Sequence, residues 1–440
     1  MPDRPPVVFI VLDTVRQDRV SCYGYDRETT PNLDAFAEDA TQYMDAVAQA
    51  PWSVPSHASL LTGKYPSEVD THMIRPALLT NDTLASWMSD AGYSTVGISS
   101  NNYVQPFNGF HRGFDTFHSP QIGLPDAVTD VVNRAVNGIS YSYLLRALSE
   151  RFFTFYRQIK PKTPLEQPLE DGSTWAVEQS REVIRENGED LFLFLNMIDV
   201  HLPRSPMERF EKEFLDDELE DVWIPSNERV YNLGKVDLSD RQMQKMSQLY
   251  DADLRSVDER FGMIMEALKD EGIYDEALIV VASDHGENIG ESDQIGHQFS
   301  LFDSVVSVPL LIKFPGQETH REYGEQVELR QVFHTILDHT GIGNYPEMSL
   351  EYEGNGRTAY GEYFTPMMEL SKIIEYREPN LSRSMKGEEM TFVRKDGYKL
   401  IRTPEKEYFY QLPEKQGEEL SLEGERLDRL SSLLDEFGDR

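Results

Sequence analysis

Ala50-Pro51-Trp52-Ser53-Val54-Pro55-Ser56-His57-Ala58-Ser59-Leu60-Leu61-Thr62-Gly63-Lys64-Tyr65-Pro66 is the stretch on which the reading of this chain turns. Prolines stand on either side of Ser53, and a run of helical character follows until Gly63 ends it. Pro55 suits the first turn of a helix, where its missing N–H costs nothing. Ser53 is thereby placed at a helix N-terminus, where free N–H groups and the dipole favour an anion. A hydroxyl there either caps the helix or attacks a phosphate or sulfate ester. Taken alone, the segment fits both.

Working outward, two strand ends supply the missing chemistry. Val7 to Leu12 is a short apolar run rich in branched residues, as in a buried parallel strand, and it ends at Asp13-Thr14. Ala277 to Ala282 is another, ending at Ser283-Asp284-His285-Gly286. Open α/β sheets bind ligands at the carboxyl ends of their strands. Asp13, Asp284, His285 and an oxygen from Ser53 would together make a divalent-metal site. A strand-terminal Asp more often caps the next helix. It is the combination, in this order, that points to a site.

The rest of the chain supports such a sheet. Ser94 to Ser99 and Leu191 to Asn196 read as further strands, and Val308 to Phe314 as another. Thr30 to Ala37, Thr80 to Ala91, Ser173 to Glu186, Ser239 to Glu271 and Val327 to His339 read as helices. Asn101 to Phe117, aromatic and glycine-rich, reads as a surface loop packing against the site. Apolar residues recur at helical spacing from Asp126 to Tyr156, and Pro161 to Pro168 reads as a linker. Strands alternating with helices predict an α/β protein with a doubly wound, mostly parallel sheet flanked by helices over residues 1–345. The composition shifts after Gly343. Met390 to Arg394 and Tyr398 to Arg402 flank the turn signal Lys395-Asp396-Gly397, Tyr408 to Leu412 adds a strand, and Glu425 to Phe437 a closing helix. Residues 346–440 are expected to form a small C-terminal α+β subdomain.

These segments resemble the sulfatase family of the alkaline phosphatase superfamily. Its signature runs Cys/Ser-x-Pro-x-Arg and then an Ala-Ser-Leu-Leu-Thr-Gly-Arg-like tail; Ser53, Pro55 and Ser59-Leu60-Leu61-Thr62-Gly63 match it. Asp13-Thr14-Val15-Arg16 and Cys22-Tyr23-Gly24-Tyr25 also occur in family members, as does the tail Asp396 to Arg402. The resemblance implies an alkaline phosphatase-like fold, metal ligation by Asp13, Ser53, Asp284 and His285, and conversion of residue 53 to formylglycine. It further implies catalytic and substrate-binding roles for His201, in Asn196 to Pro203, and for His297. Lys64, in the position of the tail Arg, is expected at the substrate, and His72 lies in a family-like segment. Two positions depart. Thr14 stands where a second Asp is common. His57 replaces the Arg that supports formylglycine, and is expected to stand in for it or to pack against the helix.

Losing one carboxylate and gaining a histidine moves the site away from an all-oxygen calcium cage, so Mn²⁺ or Zn²⁺ join Ca²⁺ and Mg²⁺ as candidates. The leading expectation is a metal-dependent hydrolase of sulfate esters, arylsulfatase-like, acting on a small-molecule or saccharide ester. A second keeps the fold and has unmodified Ser53 attack phosphorus, as a phosphate or phosphonate ester hydrolase or a phosphotransferase. A third is a non-catalytic anion-binding relative.

Composition bounds the partners. Asp and Glu number 77 against 42 Lys and Arg, a net charge of −35 in 440 residues. That argues against nucleic acid or an anionic membrane and suggests a halophile's surface. The single cysteine, Cys22, excludes an internal disulfide and is read as structural. No signal peptide or membrane span is expected, and the cytoplasm is the expected compartment. Nothing in the sequence sets an oligomeric state.

Overall fold

The computed structural model describes residues 4–72, 76–120, 172–225, 238–291, 294–297, 299–350, 357–363, 389–413 and 419–439. The helical pattern expected at 126–156 and the linker at 161–168 lie outside the described residues.

The strands, in chain order, are β1 (Val7–Leu12), β2 (Thr41–Val47), β3 (Ser94–Ser99), β4 (Thr116–His118), β5 (Leu191–Met197), β6 (Leu278–Ala282), β7 (Asn288–Ile289), β8 (Ile295–Gly296), β9 (Ser307–Val308), β10 (Leu310–Lys313), β11 (Arg321–Glu328), β12 (Ala359–Tyr363), β13 (Met390–Lys395), β14 (Tyr398–Arg402) and β15 (Glu407–Gln411). Helices that matter here are α1 (Pro31–Ala37), α2 (Ser53–Thr62), α3 (Leu84–Asp90), α4 (Gly172–Asn187), α5 (Asp240–Asp270), α6 (Gln331–His339) and α7 (Glu425–Gly438).

Among the described residues the central sheet runs β11-β2-β10-β6-β1-β5-β3-β4, with β9 pairing β2. β1 is parallel to both β5 and β6, and β3 is parallel to β5 and β4. β10 is antiparallel to β2 and to β6, so β2 and its parallel neighbour β11 point the same way as β1. The α/β, mostly parallel expectation therefore holds, with β9 and β10 reversed. The single strand expected over 308–314 is two, broken at Pro309, which cannot donate to a ladder.

Alternation explains why both faces are covered. Val7, Phe9 and Val11 enter one core with Phe192, Phe194, Leu278 and Val280, beneath α2, α3 and α6. Val8, Ile10 and Leu12 enter the other with Leu193, Leu195, Ile279 and Val281, beneath α1, α4 and α5. With successive side chains on opposite faces, such runs need apolar residues at every position.

β2 and β11 were not read from the sequence. Thr41–Val47 mixes polar and apolar residues with no regular period, and Arg321–Glu328 is a largely exposed edge strand whose first six residues are mostly polar. Val327, expected to open a helix, lies inside β11, which ends at Glu328, and the helix begins at Gln331. The 101–117 loop likewise ends in a strand, β4.

At the C-terminus β12-β13-β14-β15 form a separate antiparallel sheet. Phe392, Ile401 and Tyr410 face the central core, whereas Val393, Leu400 and Phe409 face Leu427, Leu430 and Leu434 of α7. Period-two alternation again assigns each face. No helix among the described residues is long and apolar enough to cross a membrane.

Candidate active site and metal centre

Two adjacent strand ends are tied together by their own turns. Asp13 continues β1, its N–H bonding Met197 O at 2.8 Å. Thr14 then takes a left-handed conformation, φ 62°, and its N–H donates to Asp284 Oδ1 at 3.3 Å. Ser283 Oγ accepts the Val15 N–H (2.9 Å) and donates to His285 O (2.7 Å). Tyr250, from α5, accepts Arg16 N–H and donates to Thr14 O, both at 2.8 Å. Gly286 has no room for a Cβ, which would lie 2.2 Å from Ser304 O. These contacts fix Asp13, Asp284 and His285 side by side, all completely buried.

Helix α2 delivers Ser53 to the same point. Trp52 is extended ahead of it, Pro55 stands in the first turn, and Gly63 closes the helix at φ 70°, as the sequence predicts. Ser56 Oγ anchors it by donating to Asp284 O at 2.6 Å. Ser53 Oγ donates to Asp13 Oδ2 at 3.3 Å and lies 3.4 Å from His285 Nε2.

The donor set fits a cation. Asp13, Asp284 and His285 offer ligand atoms all within 4.8 Å of one another. Asp13 Oδ1 and Asp284 Oδ2 are buried without hydrogen-bond partners. His285 Nδ1 lies 2.9 Å from Gly286 O, which only an N–H can satisfy, so Nε2 carries its lone pair toward the carboxylates. Burial and the Asp284 charge push the Asp13 carboxyl above its usual range, against the pull of His285, His201 and His57. Burial would raise Asp284 too, but His285 and His57, when protonated, outweigh it and hold that carboxyl below its usual range.

Three imidazoles line one side. The ring of His297 lies 4.3 Å from that of His285 and 5.2 Å from that of His201, centroid to centroid. Burial and the neighbouring His285, His201 and Arg204 push His297 well below its ordinary value. Glu287 Oε1 stands 3.5 Å from His297 Nδ1, and Glu287 also pairs with Arg204. His201 holds Leu202 O through Nδ1 at 2.6 Å.

His57 is brought to the cluster, but behind it. Its Nδ1 bonds Ser53 O at 2.8 Å and lies 3.3 Å from Asp284 Oδ2, while Nε2 meets Asn196 Nδ2 at 3.1 Å. Phe110 and Phe194 hold the ring edge-on. It therefore braces the carboxylate and the helix rather than facing Ser53 Oγ. Lys64 is not brought to the cluster. It follows the far end of α2, roughly 16 Å along the helix from Ser53, and pairs with Asp82 at 2.8 Å, half-exposed. His72 pairs with Asp70. Cys22 is part-buried, with its thiol pushed up by burial, and it sits beside the α1 core.

The sequence reading missed Asn101, Asn196, Glu287 and Arg204. Asn101 Nδ2 lies 2.6 Å from Asp13 Oδ2 and 3.1 Å from Ser53 Oγ. The available signal was its place just beyond β3, at the same sheet edge as Asp13.

Comparison with known proteins gives the same family. The sequence pattern of the Sulfatase family matches residues 5–342. An endo-4-O-sulfatase from Bacteroides thetaiotaomicron is 25% identical over 404 residues, covering 84% of this chain and 75% of the relative. An arylsulfatase from Clostridium perfringens is 22% identical, covering 77% and 75%. Among solved structures, a phosphonate monoester hydrolase of Agrobacterium radiobacter superposes with a TM-score of 0.72 at 18% identity, covering 99% of this chain and 95% of that one. A 2-O GAG sulfatase superposes with a TM-score of 0.68 at 16% identity, covering 99% and 92%. With the family pattern running from β1 through α6, the chain belongs to the sulfatase family of sulfuric ester hydrolases.

Proposed function

We propose that the chain hydrolyses a small-molecule or saccharide sulfate ester, with residue 53 as nucleophile and one divalent metal held by Asp13, Asp284, His285 and Ser53 Oγ. One observation carries this reading: two buried carboxylate oxygens without partners and one imidazole lone pair converge beside a hydroxyl at a helix N-terminus. A bound metal would supply the positive charge that an anionic ester needs beside two carboxylates. The mixed nitrogen and oxygen donors suit Mn²⁺ or Zn²⁺ beside Ca²⁺ and Mg²⁺.

The chain's own residues do the rest. Oxygen at position 53 forms a bond to sulfur; the bond from sulfur to the alcohol oxygen breaks, its electron pair leaving on that oxygen. Net, the proton of the attacking hydroxyl ends on the departing alcohol. His201 and His297 flank the path as proton carriers. Where residue 53 is formylglycine, the attacking hydroxyl is that of its hydrate; the second hydroxyl then loses its proton and expels sulfate to restore the aldehyde, which water rehydrates. On serine, water attacks the ester at residue 53, releasing the acid and restoring the hydroxyl.

A second reading, phosphate or phosphonate ester chemistry on unmodified Ser53, is favoured by His57. In place of the signature Arg stands a ring whose two nitrogens are committed to Ser53 O and Asn196. A peptide spanning Ser53, from protein made in its own host, distinguishes the two by mass. Loss of two hydrogens with aryl sulfate hydrolysis is expected for the first; an intact serine with aryl phosphate hydrolysis selects the second. Ser53→Ala should abolish turnover in either case while metal binding persists. Activity surviving in that variant would overturn both.

The proposal extends to a cytoplasmic, salt-adapted enzyme, motivated by the single cysteine and the net charge of −35. It also includes a division at residue 345 between catalytic unit and C-terminal subdomain.

A further inference from the structure

We propose that Asn101 is a catalytic residue, donating one side-chain N–H to Ser53 Oγ and the other to Asp13 Oδ2, and turning to an ester oxygen as Oγ forms its new bond. This rests on residue 53 being the nucleophile, and on no feature of the substrate beyond its anionic ester.

The amide's orientation is fixed by its surroundings. Asn101 is 1% exposed and lies just past β3. Its backbone N–H donates to Ser99 Oγ at 3.2 Å, and Ser99 Oγ donates in turn to Asn196 Oδ1 of β5 at 3.1 Å. Asn101 Oδ1 accepts the Tyr103 N–H at 2.7 Å. Exchanging the two ends of the amide would set NH₂ against that N–H, so Nδ2 must face the site. There it meets Asp13 Oδ2 at 2.6 Å and Ser53 Oγ at 3.1 Å. A primary amide has two N–H bonds, and both are used.

Two consequences follow for the chemistry. Asp13 Oδ2 takes bonds from Asn101 and Ser53, so Oδ1 alone is left open to a cation. Among the described residues, three side chains reach Ser53 Oγ. Asp13 and His285 present acceptors; only Asn101 donates. An obligate neutral donor stabilises the oxygen as its proton leaves. When Oγ bonds to sulfur or phosphorus and the bond to the departing oxygen breaks with its electron pair, negative charge moves to the non-bridging oxygens. The same N–H then has an oxygen of the ester within reach, the arrangement that stabilises developing charge. The serine proton ends on the departing alcohol.

The test uses the full chain, Mn²⁺ as the metal, aryl sulfate and aryl phosphate as substrates, and orthovanadate as a trigonal-bipyramidal mimic. Asn101→Ala should lower kcat about 10²- to 10³-fold with a much smaller change in KM. Vanadate affinity should fall with kcat, while Mn²⁺ affinity measured by calorimetry changes only a few-fold. Asn101→Asp keeps an acceptor for the Tyr103 N–H, so it guards against loss of folding in the first variant. It should lose turnover at least as far and bind Mn²⁺ as tightly or more tightly. Either folded variant with wild-type kcat and vanadate affinity would overturn the role of Asn101 alone. Parallel loss of Mn²⁺ binding and turnover in both variants would reduce it to a structural residue. A wild-type protein that binds Mn²⁺ but neither turns over these esters nor binds vanadate would overturn this role together with the proposed function.

Discussion

Two pairs of buried carboxylates in this protein differ oxygen by oxygen. Asp258, on α5, fills both oxygens: Oδ1 accepts Leu33 N–H, and Oδ2 accepts the Asn32 backbone and side-chain N–H groups and Arg255. Asp251 does the same with Arg19, Tyr25 and Arg27. Asp13 and Asp284 each fill one oxygen only. Asp13 Oδ2 takes Asn101 and Ser53, Asp284 Oδ1 takes the N–H groups of Thr14 and His285, and the two remaining oxygens accept no hydrogen bond, with His57 Nδ1 3.3 Å and His285 Nε2 3.4 Å from Asp284 Oδ2. A buried acceptor left open costs about 1–3 kcal/mol, more when charged. The first pair welds α5 to the segments around α1. An open oxygen alone does not set the second pair apart, since Asp199, Asp253 and Glu287 also carry one; Asp13 and Asp284 differ in meeting at the His285 imidazole, as the proposed cation requires.

The comparison makes unequal demands on the two pairs. Asp284→Asn should lower Mn²⁺ affinity by more than the roughly 10–100-fold that losing a residue behind a metal ligand costs, and turnover should fall with it. Calorimetry and a rate assay on the same sample check this; a variant that keeps either one would break the distinction. Asp258→Ala should do the opposite, costing about 1–3 kcal/mol of stability through the N–H groups it strands, while turnover per folded molecule stays at the wild-type level.

The pH dependence sharpens the contrast. Burial raises the Asp258 carboxyl to about 6, against the pull of the Asn32 and Leu33 N–H groups. The unfolded chain holds that proton only below about pH 4, so the folded state binds more protons between about pH 4 and 6. This contribution is therefore full below that window and lost as pH rises through it. Subtracting the stability curve of Asp258→Asn from that of the wild type should isolate it, as a difference of order 1–3 kcal/mol that shrinks on going from pH 4 to 7. A flat difference would show that the carboxyl is not raised.

Smallest and least local is the effect of salt. With 77 acidic against 42 basic side chains, screening should relieve self-repulsion, and the melting temperature should rise from low to molar KCl. A melting temperature independent of salt would separate the acidic composition from stability.

How much of this the sequence revealed depends on burial. β1, β5 and β6 are buried on both faces, so their apolar runs were plain, and their ends located Asp13, Asp284 and His285. Pro55 and Gly63 framed α2 through backbone constraints that act locally. β2 and β11 escaped because strands away from the centre of the sheet keep polar residues. Asn101 escaped because its role comes from Ser99, Tyr103 and Asn196 fixing its amide, partners spread over 97 residues of sequence separation. Lys64 misled because a matching tail motif says nothing about which end of a helix meets the substrate; Asp82 holds it elsewhere.

Anomalous diffraction from crystals soaked in Mn²⁺ tests the central claim most directly. One dominant peak is expected within coordination distance of Asp13 Oδ1, Asp284 Oδ2 and His285 Nε2, with the oxygen of residue 53 completing the set. A dominant peak elsewhere, with those two carboxylate oxygens still bare, would contradict it.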